Sequence, residues 1–145
     1  MLEDELKGIL EKGVERSAED MIKTIEKIYG EVPYIFHFMK DSPELLVTKV
    51  LHNNAIVRSS KLDMKTIELI SIAVSAAIRC SHCLEMHIRV ASRMGVSDEE
   101  IAAAMFLAAN LVNASVLATA TRELDEKREV CRACQIGTCE VHEKK

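Results

Sequence analysis

Residues 68–87 decide how this chain folds, and they read Glu68-Leu-Ile-Ser-Ile-Ala-Val-Ser-Ala-Ala-Ile-Arg-Cys80-Ser-His82-Cys83-Leu-Glu-Met-His87. The first part is apolar on nearly every side, which predicts a buried core helix that is capped by Asp63. The second part begins a new helix that carries two thiols and an imidazole. On that helix Cys83 and His87 are i,i+4 neighbours and Cys80 precedes Cys83 by one turn, so the three side chains share one stripe.

The spacing of Cys80 and Cys83 predicts a redox pair. Two cysteines in a CxxC arrangement can close a disulfide within one turn, and the N–H groups at a helix N-terminus stabilise the nucleophilic thiolate. Glu68 precedes Cys80 by twelve positions, so on a continuous helix it would lie about 120° away around the axis. A break near residues 78–79 would instead bring its carboxylate back toward the thiols. A carboxylate on so apolar a helix needs a partner or a raised pKa, and either would suit a proton acceptor.

A longer pattern, Glu-x11-Cys-x-His-Cys-x3-His, runs through this stretch and is formed by Glu68, Cys80, His82, Cys83 and His87. This pattern closely resembles the carboxymuconolactone decarboxylase-like superfamily, and within it the alkyl hydroperoxide reductase D (AhpD) branch. The resemblance is strongest over residues 63–101 and extends more weakly over about residues 30–120. It implies an all-α, AhpD-like helical bundle of one domain that assembles as a trimer or hexamer. It also implies a thiol-dependent oxidoreductase, either a peroxiredoxin-type alkylhydroperoxidase or a protein disulfide reductase.

The resemblance implies a role for each residue of the pattern. Cys83 would be the attacking thiolate that becomes a sulfenic acid or a mixed disulfide, and Cys80 would resolve it. His87 and Glu68 would relay the proton away from the thiol, with His82 assisting, which is the general-base help a nucleophilic thiol needs. The substrate would be a peroxide or a disulfide, and a donor protein or a small thiol would supply electrons. This CxxC chemistry requires no cofactor.

Two alternatives for the central site stay open. The decarboxylase branch that gave the superfamily its name lacks the thiol pair, and a lactone enzyme of that kind predicts activity that is insensitive to thiol alkylation. Metal binding by Cys80, Cys83 and His87 is the other alternative, since these are zinc ligand types, although a fourth ligand is evident only if Glu68 or the tail supplies it.

The composition agrees with a single helical domain in the cytoplasm. The chain has 145 residues, of which 48% are hydrophobic and only 3% aromatic, so an aliphatic core of packed helices is expected. A net charge of −4 argues against nucleic acid as a partner. The charged N-terminus lacks a signal-peptide stretch, and no run is expected to reach the length of a membrane span, so we expect no membrane contact. Apolar helices in so small a chain favour a homo-oligomer.

Apolar residues at helical spacing predict further helices on both sides of this stretch. Before it, we expect helices at 2–12, at 18–29 behind a capping pair of Ser17 and Asp20, a buried turn at 34–39, and a helix from Pro43 to about Ser59. After it, we expect a helix end at Gly95, a capping box of Ser97 and Glu100, and helices at 98–112 and about 114–130.

A cysteine-rich tail, residues 131–145, is expected to follow a helical domain of residues 1–130. Cys131, Cys134, Cys139 and His142 have the spacing C-x2-C-x4-C-x2-H, which suits Zn²⁺ or an iron–sulfur cluster. Such a tail would make the protein a metal-binding or redox-sensing module. A second interpretation is a dithiol, Cys131 with Cys134, that passes electrons to the central pair, and a third is a frayed tail without function.

Overall fold

The computed structural model describes residues 2–124, and within this range the chain forms seven α-helices and no strand. The helices are α1 (Leu2–Lys12), α2 (Val14–Tyr29), α3 (Tyr34–Met39), α4 (Pro43–Ser59), α5 (Met64–Ala77), α6 (Ser81–Arg93) and α7 (Asp98–Leu124). This architecture confirms the predicted all-α class. The predicted tail, the domain boundary at residue 130 and the end of the last predicted helix lie outside the described residues.

The helices pack around two hydrophobic clusters. The first joins α2, α3 and α4 through Ala18, Ile25, Phe36, Leu46 and Val47. The second joins α5, α6 and α7 around Ile72, Ala91, Val96 and Ile101. Because α2 also contacts α6, the two clusters lie side by side. Glu68 and the thiol pair lie on the helices of the second cluster. Helix α2, which belongs to the first cluster, packs against α6 of the second.

A sharp break separates α5 from α6. Helix α5 ends at Ala77, and the N–H of Cys80 then donates to the carbonyl of Ser75 at 2.9 Å. Arg79 has a φ of +58°, in the left-handed region that few non-glycine residues adopt. The chain therefore reverses between the two helices, and the predicted break near residues 78–79 is confirmed.

The predicted helix starts at Asp63 and Ser97 are also confirmed. The Asp63 carboxylate accepts a hydrogen bond from the N–H of Thr66 at 2.9 Å. Ser97 and Glu100 form a reciprocal capping box, with the Ser97 N–H donating to Glu100 Oε2 at 3.0 Å and the Glu100 N–H donating to Ser97 Oγ at 3.3 Å. Gly95 follows the end of α6 with a φ of +77°, as expected for a C-terminal glycine.

Two predicted helix boundaries are wrong. Helix α2 begins at Val14, and Ser17 lies inside it with its hydroxyl donating to the Gly13 carbonyl at 2.8 Å, so Ser17 is no cap. Helix α7 is continuous from Asp98 to Leu124, whereas two helices separated near residue 113 were expected. No glycine or proline occurs in that span, so nothing in the backbone forces it to stop.

The predicted burial of two segments is only partly right. On α5, Glu68, Ile72 and Ser75 are buried, but Ile70 and Val74 are about half exposed because no described helix covers that side. On α3 Phe36 is buried, whereas Tyr34 and Phe38 are 70% exposed and stack on each other. Apolar character alone therefore overestimated how much of each element is covered.

Helix α7 is long, and much of its apolar surface is exposed because no other described helix covers it. By length and composition it is the one helix among residues 2–124 that would suffice to cross a membrane, although the core helix of a soluble protein can meet the same criteria. The expectation that no run reaches the length of a membrane span is therefore wrong for this helix. Its exposed residues include Phe106, Leu107, Leu111, Val116 and Leu117.

Candidate thiol site

The two cysteines of the central pair lie at the N-terminus of α6. Cys80 is the N-cap residue, and its Sγ accepts a hydrogen bond from the N–H of Cys83 at 3.4 Å. The structure joins Cys80 and Cys83 by a disulfide, with Cα atoms 5.3 Å apart, inside the usual range for such bonds. Both residues are partly exposed. A pair at the surface end of a helix can be reached by a second molecule.

The reversal between α5 and α6 brings Glu68 to His87. His87 Nδ1 lies 2.7 Å from Glu68 Oε2, across a sequence separation of nineteen residues. The Glu68 side chain is only 6% exposed and that of His87 is 19% exposed, so water screens the pair weakly. An ionised carboxylate can only accept a hydrogen bond, and the Nδ1–H of His87 is then the donor.

The contact with Glu68 leaves one ring nitrogen of His87 for another partner. His87 follows Cys83 by one helical turn, and because Nδ1 is engaged by Glu68, Nε2 is the ring nitrogen left for a proton from outside the pair. A carboxylate behind an imidazole fixes the tautomer and stabilises the imidazolium. A thiol, an imidazole one helical turn away and a carboxylate behind the imidazole are the residue types that can serve as a nucleophile, a base and a group that orients the base.

The structure places four of the five predicted site residues in two contacts: a disulfide joins Cys80 to Cys83, and Glu68 contacts His87. His82 differs from the others, because it lies on the first turn of α6 with an exposed side chain. Nothing in the fold ties it to the Glu68–His87 contact. The catalytic roles of all five residues stay predictions.

Tyr29, which sequence reasoning missed, lies beside this assembly at the end of α2. Burial raises the pKa of its phenol above the ordinary value, and the negative charge of Glu68 raises it further. Both residues line a cavity of about 580 Å³. Tyr29 and Glu68 are far apart in sequence, and no local sequence motif indicates that they lie close together.

Among residues 2–124, no group of three or more His, Cys, Asp or Glu side chains is placed to hold a metal ion. The alternative of a metal on Cys80, Cys83 and His87 therefore has no support from the described part of the chain. The predicted tail ligands, Cys131, Cys134, Cys139 and His142, lie outside it, and a metal or cluster there stays a prediction.

Comparisons with known proteins match the central region. The model of the carboxymuconolactone decarboxylase family matches residues 43–126, more than half of the chain. A protein of Paracoccus denitrificans, described as uncharacterized protein 4 in the cox locus, is 31% identical over 72 residues. That match covers 50% of this chain and 65% of the relative. No solved structure matches the chain at a significant level.

Proposed function

Because the chain belongs to the carboxymuconolactone decarboxylase family, we propose that it is a thiol-dependent oxidoreductase that cycles Cys80 and Cys83 between dithiol and disulfide. Its substrates are organic hydroperoxides or protein disulfides, and a donor protein or a small thiol supplies the electrons. One observation carries the proposal: the disulfide pair at the start of α6 lies one turn from His87, whose ring contacts a buried carboxylate at 2.7 Å.

The oxidative half-reaction begins at Cys83. Its thiol gives a proton to His87, and the thiolate attacks the terminal oxygen of the hydroperoxide. The O–O bond breaks, the alkoxide takes a proton and leaves as an alcohol, and Cys83 becomes a sulfenic acid. The Cys80 thiol then attacks the sulfenic sulfur and expels the hydroxyl as water. The two thiols have lost two electrons and two protons, and the peroxide has gained them.

The reductive half-reaction restores the dithiol. A donor thiolate attacks the Cys83 sulfur, and Cys80 leaves as a thiolate while a mixed disulfide forms at Cys83. A leaving thiolate departs faster when it is stabilised, and Cys80 Sγ already accepts the N–H of Cys83. A second donor thiol then breaks the mixed disulfide, and the donor is released in its oxidised form.

Reciprocal serine variants test this proposal. Cys83→Ser is expected to lower the turnover of a hydroperoxide or a disulfide by at least about a hundredfold, because the nucleophile is gone. Cys80→Ser is expected to stop the cycle later and to accumulate Cys83 as a sulfenic acid or a mixed disulfide, which mass spectrometry of the intact protein detects. Turnover at the wild-type rate in Cys83→Ser contradicts the proposal.

The lactone alternative is separated by alkylation. Blocking the reduced protein with iodoacetamide is expected to abolish activity in a thiol oxidoreductase and to leave a lactone decarboxylase unaffected.

The alternative of a metal in the tail is tested by metal analysis of anaerobically purified protein. Stoichiometric metal that is lost with Cys131→Ser and kept with Cys80→Ser places an ion in the tail. The absence of metal removes that alternative.

A further inference from the structure

The second half of α7 has the least cover of any long helical segment among residues 2–124. Every residue from 109 to 124 is exposed, whereas Ile101 in the first half is buried in the second hydrophobic cluster. The exposed half is nevertheless uncharged up to Thr121, and its large apolar side chains are Leu111, Val112, Val116 and Leu117. These four point to several sides of the helix. A helix that is apolar on several sides is normally buried, so this half needs a cover that residues 2–124 do not supply.

Helix α7 extends past the end of α5 at which the thiols lie. Lys65 in the first turn of α5 pairs with Glu100 in the first turn of α7 at 2.8 Å, and both helices share the second cluster, so they run in the same direction. Helix α5 ends at Ala77, twelve residues after Lys65, and twelve residues after Glu100 α7 has reached only residue 112. The remaining turns, about 18 Å of helix, project beyond α5. Because Cys80 follows α5 closely, the projection lies at the thiol end of the molecule.

Helix α5 has an open face that leads to the same end. Its exposed apolar side chains lie at i, i+4 and i+8, and they are Ile70, Val74 and Ile78, which are 47%, 52% and 67% exposed. No charged residue occurs between Glu68 and Arg79. The first half of α7 packs on the opposite, buried side of α5. Because α7 is continuous, its second half does not turn back onto the open face of the same α5.

Two other covers for the end of α7 fit less well than a second copy of the chain. The uncharged stretch beyond Ala108 is residues 109–121, about 20 Å of helix, which is shorter than the hydrocarbon core of a bilayer at about 30 Å. The rest of the chain, residues 125–145, contains ten charged residues and only three of Val, Ile or Leu. A segment of that composition does not suit an apolar helix.

We propose that the projecting end of α7 in one copy packs on the open face of α5 in a second copy, and that the second copy returns the same contact. Both surfaces are apolar and uncharged, and about 18 Å of helix is enough to follow the about 12 Å from Ile70 to Ile78. If half of a helix about 10 Å wide is covered in each contact, the two contacts bury on the order of 1,100 Å² in total. That area exceeds the roughly 1,000 Å² that a specific interface needs.

This contact makes the thiol site a shared one. Only one residue separates Ile78 from Cys80, so a helix that is seated on the open face of α5 lies beside the disulfide pair. The neighbouring copy's α7 then forms an apolar wall of the thiol site, and one chain alone has an incomplete site. The contact itself does not depend on the proposed function, whereas the importance of the wall for turnover rests on it.

Cross-linking of mixed variants tests the contact directly. The five native cysteines are replaced by serine, and one chain then receives Val74→Cys while another receives Leu117→Cys. After the two proteins have exchanged subunits, a short bis-maleimide is expected to join them as a covalent dimer. The matched control Leu10→Cys, at a position that is 85% exposed on α1, is expected to give no such product with Val74→Cys.

The same experiment tests whether the thiol site is shared. A chain that keeps Cys80 as its one cysteine is expected to cross-link to the Leu117→Cys chain. If the Leu117→Cys chain alone cross-links as well as the mixtures do, α7 pairs with itself and the inference is overturned. The absence of a cross-linked product in both mixtures overturns it as well.

Hydrogen exchange follows the contact in protein that keeps its cysteines. The amides of residues 109–121 are expected to be protected in the wild type, because a covered helix opens rarely. Val74→Glu lies on another helix, on a side that its own chain leaves open, and it is expected to remove that protection and to shift the mass toward the 16.2 kDa monomer. Leu10→Glu is expected to change neither. Protection that survives Val74→Glu, or that arises only after lipid vesicles are added, overturns the inference.

The outcomes separate the inference from the proposed function. If the mixed variants do not cross-link and Cys83→Ser abolishes turnover, the shared contact is wrong and the thiol chemistry stands. If the mixed variants cross-link and Cys83→Ser keeps full turnover, the contact stands and the proposed function fails.

Discussion

At the residue scale, the two sulfurs of the pair have different neighbours, and the different roles that we propose for them rest on this difference. Cys80 receives the amide of Cys83 at the helix N-terminus, whereas Cys83 precedes His87 by one turn. An amide stabilises a leaving thiolate without moving a proton, while an imidazole removes a proton from an attacking thiol. The pair is therefore asymmetric although its residues are identical.

The histidines of α6 provide a matched pair of variants. His87→Gln is expected to lower the rate of thiol oxidation by about a hundredfold, because general-base help is typically worth that factor or more. His82→Gln is expected to cost less than about tenfold, since this side chain is exposed and apart from Glu68. Stopped-flow measurement of peroxide consumption by the reduced protein gives both rates. If the rate of thiol oxidation falls more in His82→Gln than in His87→Gln, His82 is the base instead.

At this scale, sequence reasoning predicted the break that returns Glu68 toward the helix of the thiols, and it missed one neighbour. On a continuous helix Glu68 would point away from the thiols. The sequence therefore required a break before α6 if the carboxylate was to reach this helix, and the structure has that break. Tyr29 was missed because it lies near Glu68 only through the packing of α2 against α6, where both residues line one cavity. Such packing has no signature in local spacing.

At the scale of the element, the break between α5 and α6 allows Glu68 of α5 to contact His87 of α6. Caps follow from side chains within three or four residues, so Asp63 and the Ser97–Glu100 box were predictable. The continuity of α7 was harder to predict. A helix without glycine or proline accommodates polar residues such as Asn113, and Thr119 and Thr121 donate to carbonyls four residues back.

The cap at Asp63 gives a pH-dependent contribution to stability. Hydrogen bonds from the backbone and then the side chain of Thr66 lower the pKa of this carboxyl below 3.8. A lowered pKa in the folded state means that the contribution is present above 3.8 and is lost as the pH falls through the folded value. The Tm of the wild type is therefore expected to fall more steeply below about pH 4 than that of Asp63→Asn, which caps without titrating. Parallel curves would contradict this account.

A pair of glycine variants tests how α2 is held against α6. Gly30 has a φ of +81°, and a Cβ there would lie 2.7 Å from Arg93 Nη2, so Gly30→Ala is expected to lower the free energy of unfolding by about 1–2 kcal/mol. Gly8 lies inside α1 with open space around it, and Gly8→Ala is expected to raise that free energy by about 0.5–1 kcal/mol. Urea denaturation measures both. Equal effects would mean that the end of α2 is not held in this way.

At the scale of the whole molecule, the exposed face of α7 is the main apolar surface that residues 2–124 leave uncovered. The rings and branched side chains of Phe106, Leu107 and Leu111 are 75%, 65% and 69% exposed. Apolar residues grouped in this way mark an interaction surface more often than a free one. The sequence predicted a homo-oligomer, and a second copy of the chain is the occupant we propose for this face.

Light scattering on purified protein tests this assembly. The wild type is expected to have at least the mass of a dimer, and Leu111→Glu is expected to shift it toward a monomer, because a charge buried at an interface without a partner is costly. Leu10→Glu is the control, since Leu10 is 85% exposed on α1, away from α7. A monomeric wild type would contradict the assembly, and flotation of the protein with lipid vesicles would point to a membrane instead.

The central claim, that Cys80 and Cys83 form a working dithiol, is tested most directly by counting thiols. In a variant with Cys131, Cys134 and Cys139 replaced by serine, the fully reduced protein contains only this pair. One equivalent of an organic hydroperoxide, or of a disulfide, is expected to consume both thiols and leave one disulfide that dithiothreitol reverses. If both thiols persist after prolonged treatment with the hydroperoxide and also after prolonged treatment with the disulfide, the account is contradicted.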